Sequence, residues 1–227
     1  MNITRDAAVT ATLVVCTLVT TGLVLRREFF APAAIPAQPE QKPLFIKDWR
    51  TDLGKGDRMG PLQAPVELLE FADFECPFCA TFHKEVKILR VRYPTQMALT
   101  FVHYPLPMHR FAEPAARAAE CADRQGRFEA MYDHLFELQD SFGLKPWSEF
   151  ANEVGVADGA TFEACVQSAV PIPRIAEGKQ LGLKLDVRGT PTILINGWML
   201  GRPPGVEELD AMVKAILAGK SPVPRDQ

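Results

Sequence analysis

The sequence predicts an α/β fold with an inserted helical domain, preceded by an N-terminal transmembrane segment. Three observations carry this reading: a strand, helix, strand succession over residues 66–104, a run of amphipathic helices over 112–186 in which the strand pattern ceases, and a hairpin with a closing helix over 190–219. Strand-bearing stretches thus stand on both sides of an all-helical one.

Composition narrows the function. With 227 residues and 47% hydrophobic residues, the chain can bury a sizeable core. A net charge of −3, with no clustered basic run, leaves no electrostatic footprint for nucleic acid.

At the N-terminus, nineteen uncharged residues, AAVTATLVVCTLVTTGLVL, lie between Asp6 and Arg26. As a helix they would span roughly 28 Å, close to a bilayer's hydrocarbon thickness. Residues 1–30 are therefore read as a membrane anchor. A cleaved signal is the alternative, because Ala31 to Ala33 offer an A-x-A pattern, but the long apolar run and the intervening Arg26, Arg27 and Glu28 favour an uncleaved anchor. Val15 ahead of Cys16 does not suit a lipid-modified cysteine. Arg26 and Arg27 by charge alone would hold the following domain inside; oxidative cysteine chemistry would place it in an oxidising compartment, and that argument is given more weight.

Residues 31–43, APAAIPAQPEQKP, form a Pro/Ala-rich linker. Residues Leu44 to Leu53 are expected to add an edge strand, followed by turn residues in GKGDRMGPLQAP. VELLEFADF, from Val66, is a dense apolar strand; Phe78, Phe82, Val86 and Leu89 then recur at helical spacing between Pro77 and Tyr93. Met97 to Tyr104 form the next strand, which makes a parallel pair with a helical crossover.

From Ala112 the pattern is helical, in EPAARAAECADRQ, RFEAMYDHLFELQ, PWSEFANEVG, DGATFEACVQSA and PRIAEGKQLGLKL. TPTILI and WMLG then flank Asn196-Gly197, a strong hairpin signal, and GVEELDAMVKAILAG closes with Gly219 past its end. The sheet domain is thus expected over 44–111 and 187–220, the helical domain over 112–186, and a tail over 221–227. Phe71, Phe74, Phe128, Tyr132, Phe136 and Phe162 are assigned to the core.

The chemistry is expected at Cys76 and Cys79, in ECPFC. A structural zinc site needs about four ligands, and Cys121, Cys165, His83, His103, His109 and His134 form no second pair at ligand spacing, so no metal is expected. A CxxC opening a helix instead sets its first sulfur against unpaired N–H groups and the positive end of the helix dipole, which favours the thiolate. Pro77 suits the first helical position. Cys76 is therefore expected as an exposed nucleophile and Cys79 as the buried resolving thiol. Glu67, Asp73 and Glu75 are read as surface or strand-end charges, with Glu75 opposing thiolate formation.

Through ECPFC, GTPT and the order of elements around them, the chain resembles the DsbA-like branch of the thioredoxin-fold proteins over most of residues 60–218. The resemblance implies a thioredoxin fold interrupted by the helical domain, a cis bond before Pro191 facing the CxxC, and Thr190 presenting backbone groups to an extended substrate beside Phe78. It implies a buried acid at Glu70 that exchanges protons with Cys79. It also implies cysteine-containing exported proteins as substrates, a membrane redox partner of the DsbB type, and no cofactor. The strongest oxidases of the family carry Pro-His between the cysteines; Phe78 offers the thiolate no hydrogen bond, which predicts a weaker oxidant.

Cys121 and Cys165, in separate helices, are candidates for a structural disulfide, with two buried free thiols as the alternative. His109 lies in the Pro-rich loop after the second strand, either lining the substrate groove or solvated. The expected function is an extracytoplasmic, periplasmic oxidoreductase that introduces disulfides. The alternatives are a membrane-anchored reductase or isomerase of the same fold, and a non-enzymatic chaperone-like or metal-delivery module.

Overall fold

The computed structural model describes residues 12–22 and 42–223. They belong to two units, residues 1–39 and 40–227, each taken by itself.

Helix α1 covers residues 12–22. Two of its threonine hydroxyls turn back onto the helix, Thr17 Oγ1 donating to Leu13 O at 2.6 Å and Thr20 Oγ1 to Cys16 O at 2.9 Å, so these polar groups are satisfied within an apolar segment. Eleven residues rise only about 16 Å, half of what a bilayer needs. Among the described residues no helix is long and apolar enough to cross a membrane, so the expected transmembrane segment is not supported. The remainder of that segment, the linker up to residue 41 and the tail from residue 224 lie outside the described residues.

In the second unit, β1 (Leu44–Phe45), α2 (Trp49–Asp52) and β2 (Asp57–Met59) precede the central strand β3 (Val66–Ala72). Helix α3 (Pro77–Arg92) crosses over to β4 (Met97–His103), which pairs parallel to β3 with Val66 opposite Met97 and Ala72 opposite His103. After five helices, α4 (Ala112–Asp123), α5 (Phe128–Glu137), α6 (Trp147–Glu153), α7 (Gly159–Gln167) and α8 (Pro173–Lys184), the chain re-enters the sheet as β5 (Thr192–Ile195) and β6 (Trp198–Met199) and ends in α9 (Val206–Leu217). Among the described residues the sheet order is β1-β6-β5-β3-β4-β2, with every pairing but β3–β4 antiparallel.

Two expectations for residues 44–65 need correcting. The edge strand is two residues long, and the rest of the expected strand is α2 and a 3-10 turn at Leu53–Lys55. The stretch read as turn contains β2, which satisfies the outer edge of β4. Gly56 permits that approach, since a Cβ there would stand 2.3 Å from Phe101 O.

Because β3 lies between two strands and is covered on both faces, it reads as apolar sequence broken only by Glu67, near its start, and by the buried Glu70. Period-2 alternation sends Leu68 and Ala72 to the larger core with Val86 and Leu89 of α3, and Leu69 and Phe71 to a smaller cluster with Leu181 of α8. Glu70 therefore shares the α3 face with Leu68 and Ala72. The helical block has no core of its own: Ala115, Tyr132 and Phe136 belong to the same cluster as Leu68 and Phe101. All six aromatic residues assigned to the core are buried.

Between block and sheet lies a buried charged cluster. His103 Nε2 meets Glu120 Oε1 at 2.9 Å and Asp57 Oδ2 at 3.3 Å, and Arg174 pairs with Asp57 and, at 3.4 Å, with Asp123. It joins β2, β4, α4 and α8. Burial disfavours the imidazolium, but Asp57 and Glu120 outweigh it and raise His103 above its ordinary pKa.

Candidate active site

The site forms where β3 ends and α3 begins. Asp73 makes the turn: its Oδ1 accepts from Glu75 N at 2.8 Å, and its carbonyl accepts from Cys76 N at 3.0 Å. Cys76 then caps α3 in an extended conformation, with Pro77 in the first helical turn. Across from it the Thr190–Pro191 peptide bond is cis, and the Cys76 thiol donates to Thr190 O at 3.3 Å.

That packing corrects one expectation. Cys76 is only 3% exposed, because the Thr190 loop lies against its sulfur. The exposed members of the motif are Pro77 and Phe78, the latter at 72%, while Cys79 is fully buried. Both cysteines carry free thiols.

Their environments separate the two thiols. Cys76 is lowered to about 5, first by a hydrogen bond with Cys79, against burial, with help from the Thr190 side chain and the backbone N–H groups of Cys79 and Phe78. Cys79 is raised by burial, then by its hydrogen bond with Cys76 and the nearby charge of Glu70. Glu70 is itself raised to about 8 by burial, with Cys76 adding to it. Among the described residues neither Glu70 carboxyl oxygen has a hydrogen-bond partner, and neither does the Tyr132 hydroxyl. One thiol is thus prepared to be an anion, and the other to stay protonated beside an acid that titrates near neutrality.

The flanking acids stand at the strand ends or just beyond, as one of the two expected readings had it, but Asp73 is not at the surface. Asp73 is buried and no surface charge: its Oδ2 accepts from Leu106 N at 2.8 Å and faces His109 Nδ1 at 2.7 Å. Glu75 accepts from Phe111 N, so its charge is spent on a backbone donor. Together they hold the 104–111 loop beside the motif, with His109 tied to Asp73. Glu67 pairs with Arg58 at 2.6 Å, remote from the chemistry at the other end of β3.

Gln139 was not anticipated. Following α5, it donates from Nε2 to Phe74 O at 2.5 Å and to Cys76 O at 3.0 Å. Asp73 carried a local signal, since an aspartate two residues before a backbone donor makes an Asx turn; Gln139 carried none, its partners lying more than sixty residues away.

Cys121 and Cys165 are joined in a disulfide that links α4 to α7, with Cα atoms 5.8 Å apart, inside the usual range. Among the described residues, Asp57, His103 and Glu120 bring ligand-type atoms within 4.8 Å of one another, but Arg174 already balances that cluster.

Residues 53–215 match the family described as Thioredoxin. The chain is 35% identical over 160 residues to a Na(+)/H(+) antiporter, NhaA 3, of Salinispora tropica, a match covering 70% of this chain and 24% of that protein. It spans about a quarter of the length of the curated relatives it matches. Among solved structures, a thioredoxin-like oxidoreductase from Silicibacter pomeroyi aligns with a TM-score of 0.60 at 25% identity, covering 69% of this chain and 88% of that one. BdbD from Bacillus subtilis aligns with a TM-score of 0.65 at 20% identity, covering 74% and 95%.

Proposed function

The chain belongs to the thioredoxin family, and from that premise we propose that it is an extracytoplasmic thiol:disulfide oxidoreductase that introduces disulfides into exported proteins at Cys76 and Cys79. The observation that carries the reading is the divergence of the two thiols, one lowered to about 5 and the other raised beside Glu70.

In the forward direction the pair begins as a disulfide. A substrate thiolate attacks Cys76 Sγ, the Cys76–Cys79 bond breaks, and its electron pair leaves on Cys79, which takes a proton with Glu70 as the donor at hand. A second substrate thiolate then attacks the substrate sulfur of the mixed disulfide. Cys76 leaves as a stabilised thiolate, and the products are an oxidised substrate and a reduced Cys76–Cys79 pair. Thr190 supplies backbone hydrogen-bonding groups beside Cys76, and Phe78 an exposed apolar contact.

Turnover requires reoxidation, assigned here to a membrane redox partner of the DsbB type. The antiporter relatives match only over the thioredoxin region, about a quarter of their length, so ion transport is not taken from them. Anchoring through residues 7–25 is part of the proposal, supported by the exposed Leu13, Val14, Val15, Leu18 and Val19 of α1. Release into the periplasm after cleavage is the alternative. One observation favours a second direction: Phe78 withholds the hydrogen bond a histidine would give the thiolate, which suits a reductase kept reduced by a membrane donor.

Oxidation of a reduced two-cysteine peptide and reduction of insulin, both by the full chain, test the reading. Activity in at least one assay, abolished in Cys76→Ser, is expected; a chain inert in both is a binding module. Protease digestion of intact spheroplasts tests location, and a protected domain would overturn the extracytoplasmic assignment.

A further inference from the structure

We propose that Gln139 is a positioning residue for the Cys76 thiolate: its side-chain amide offsets the two backbone carbonyls that flank the nucleophile and ties the helical block to the reactivity of the thiol. The inference rests on Cys76 being the nucleophile, as proposed above.

Phe74 O and Cys76 O both accept from Gln139 Nε2, at 2.5 and 3.0 Å. Since both partners are carbonyl oxygens, only the nitrogen end of the amide can face them. Cys76 O also accepts the first bond of α3, from Ala80 N at 3.2 Å, and Cys76 N is held by Asp73 O at 3.0 Å. The nucleophile's own peptide groups are therefore pinned on both sides, with Gln139 providing the one side-chain donor to its carbonyl among the described residues.

Two consequences follow from elementary electrostatics. Carbonyl oxygens carry partial negative charge, and two of them beside a thiolate oppose its formation; an N–H bonded to both reduces that opposition. Without the amide, the Phe74 carbonyl loses this donor and the Cys76 carbonyl keeps only Ala80 N, so the turn that holds Cys76 Sγ against Thr190 O loosens. Gln139 opens the turn Gln139–Ser141 directly after α5. Through this side chain the position of the helical block reaches the peptide groups that carry the sulfur.

The test uses the full chain, reduced, with the Cys76 thiolate followed by ultraviolet absorbance and by iodoacetamide alkylation across pH. Gln139→Met keeps length and loses the donor, Gln139→Lys keeps a donor and adds positive charge, and Gln139→Glu replaces the donor with a negative acceptor. The expected pKa order is Lys, wild type, Met, Glu from lowest to highest. The Met variant should lie about one unit above wild type, roughly tenfold less thiolate at a pH below both titrations. Equilibrium with glutathione should move toward the protein disulfide in the same order.

A Gln139 that only braces the fold would lower stability in all three variants alike and leave the titration in place. Folded Met and Lys variants titrating with wild type overturn the inference, and if either fails to fold, Glu against wild type decides on the same criterion. Wild type and Cys76→Ser are titrated alongside. Absence of a low-titrating thiol in wild type, or its survival in Cys76→Ser, would instead remove the functional reading beneath it.

Discussion

A charged Glu70 opposes ionisation of Cys79: the two share the face between β3 and α3, both fully buried. The acid's own pKa of about 8 against an ordinary 4.5 has a consequence for stability. Between those values the folded chain holds a proton that the unfolded chain has released. The resulting stability is complete below about pH 4.5 and is lost as pH rises through about 8. Glu70→Gln should therefore make the reduced protein more stable at pH 8.5, by about 2–4 kcal/mol, with little change at pH 4.5. Urea unfolding at the two pH values checks this; equal stability of variant and wild type at pH 8.5 would refute it.

Cys76 should alkylate with a pH profile inflecting near 5, and that inflection should vanish in Cys76→Ser. Here the sign is opposite to that of Glu70. A thiol lowered from 9.0 to about 5 contributes stability to the reduced form above the unfolded value and loses it as pH falls through about 5. Cys79, buried and raised, should react only after unfolding. Alkylation followed by peptide mass mapping separates the two sulfurs.

Phe78→His should make the domain more oxidising, because an imidazole beside Cys76 stabilises the thiolate and hence the reduced form. Equilibration with glutathione is the measurement. A wild-type potential more positive than that of the variant would contradict the argument.

Removing the second disulfide with Cys121→Ser and Cys165→Ser together should destabilise the fold by up to about 4 kcal/mol on the loop-entropy estimate for its 44-residue separation. Thiol exchange at Cys76 should persist, since α4 and α7 carry no atom of the site. Non-reducing mass mapping that finds both thiols alkylatable would dispose of the bond.

Arg174→Met leaves Asp57 and Glu120 facing His103 with one cation fewer. A fully buried pair broken this way costs about 3–5 kcal/mol; Arg174 is partly exposed, so about 1–3 kcal/mol is expected. In wild type, the raised His103 contributes stability that is complete below its ordinary pKa and lost as pH rises through the raised one. His103→Gln should flatten that part of the profile, as read from thermal melts between pH 5 and 9.

The architecture was legible wherever local pattern and burial agree. Alternating and continuous apolar runs marked β3, β4 and β5, helical spacing marked α3 through α9, and Asn196-Gly197, with φ of 44° and 88°, marked the hairpin. Where pairing rather than pattern decides, legibility failed: β2 is three residues among turn formers and exists because β4 offers it an open edge.

The site divides the same way. Cys76, Pro77 and Cys79 lie within four successive residues, so sequence by itself determined that a dithiol opens a helix, with the reactivity that position confers. Tertiary structure alone decided the rest, because those effects depend on distances between remote segments. The Thr190 loop buries the sulfur expected to be exposed, β3 carries Glu70 into the dry face beneath Cys79, Asp73 turns inward to hold His109, and Gln139 reaches from the helical block to the Cys76 carbonyl. A thiol's identity is local, but its pKa is a sum over neighbours that only folding assembles.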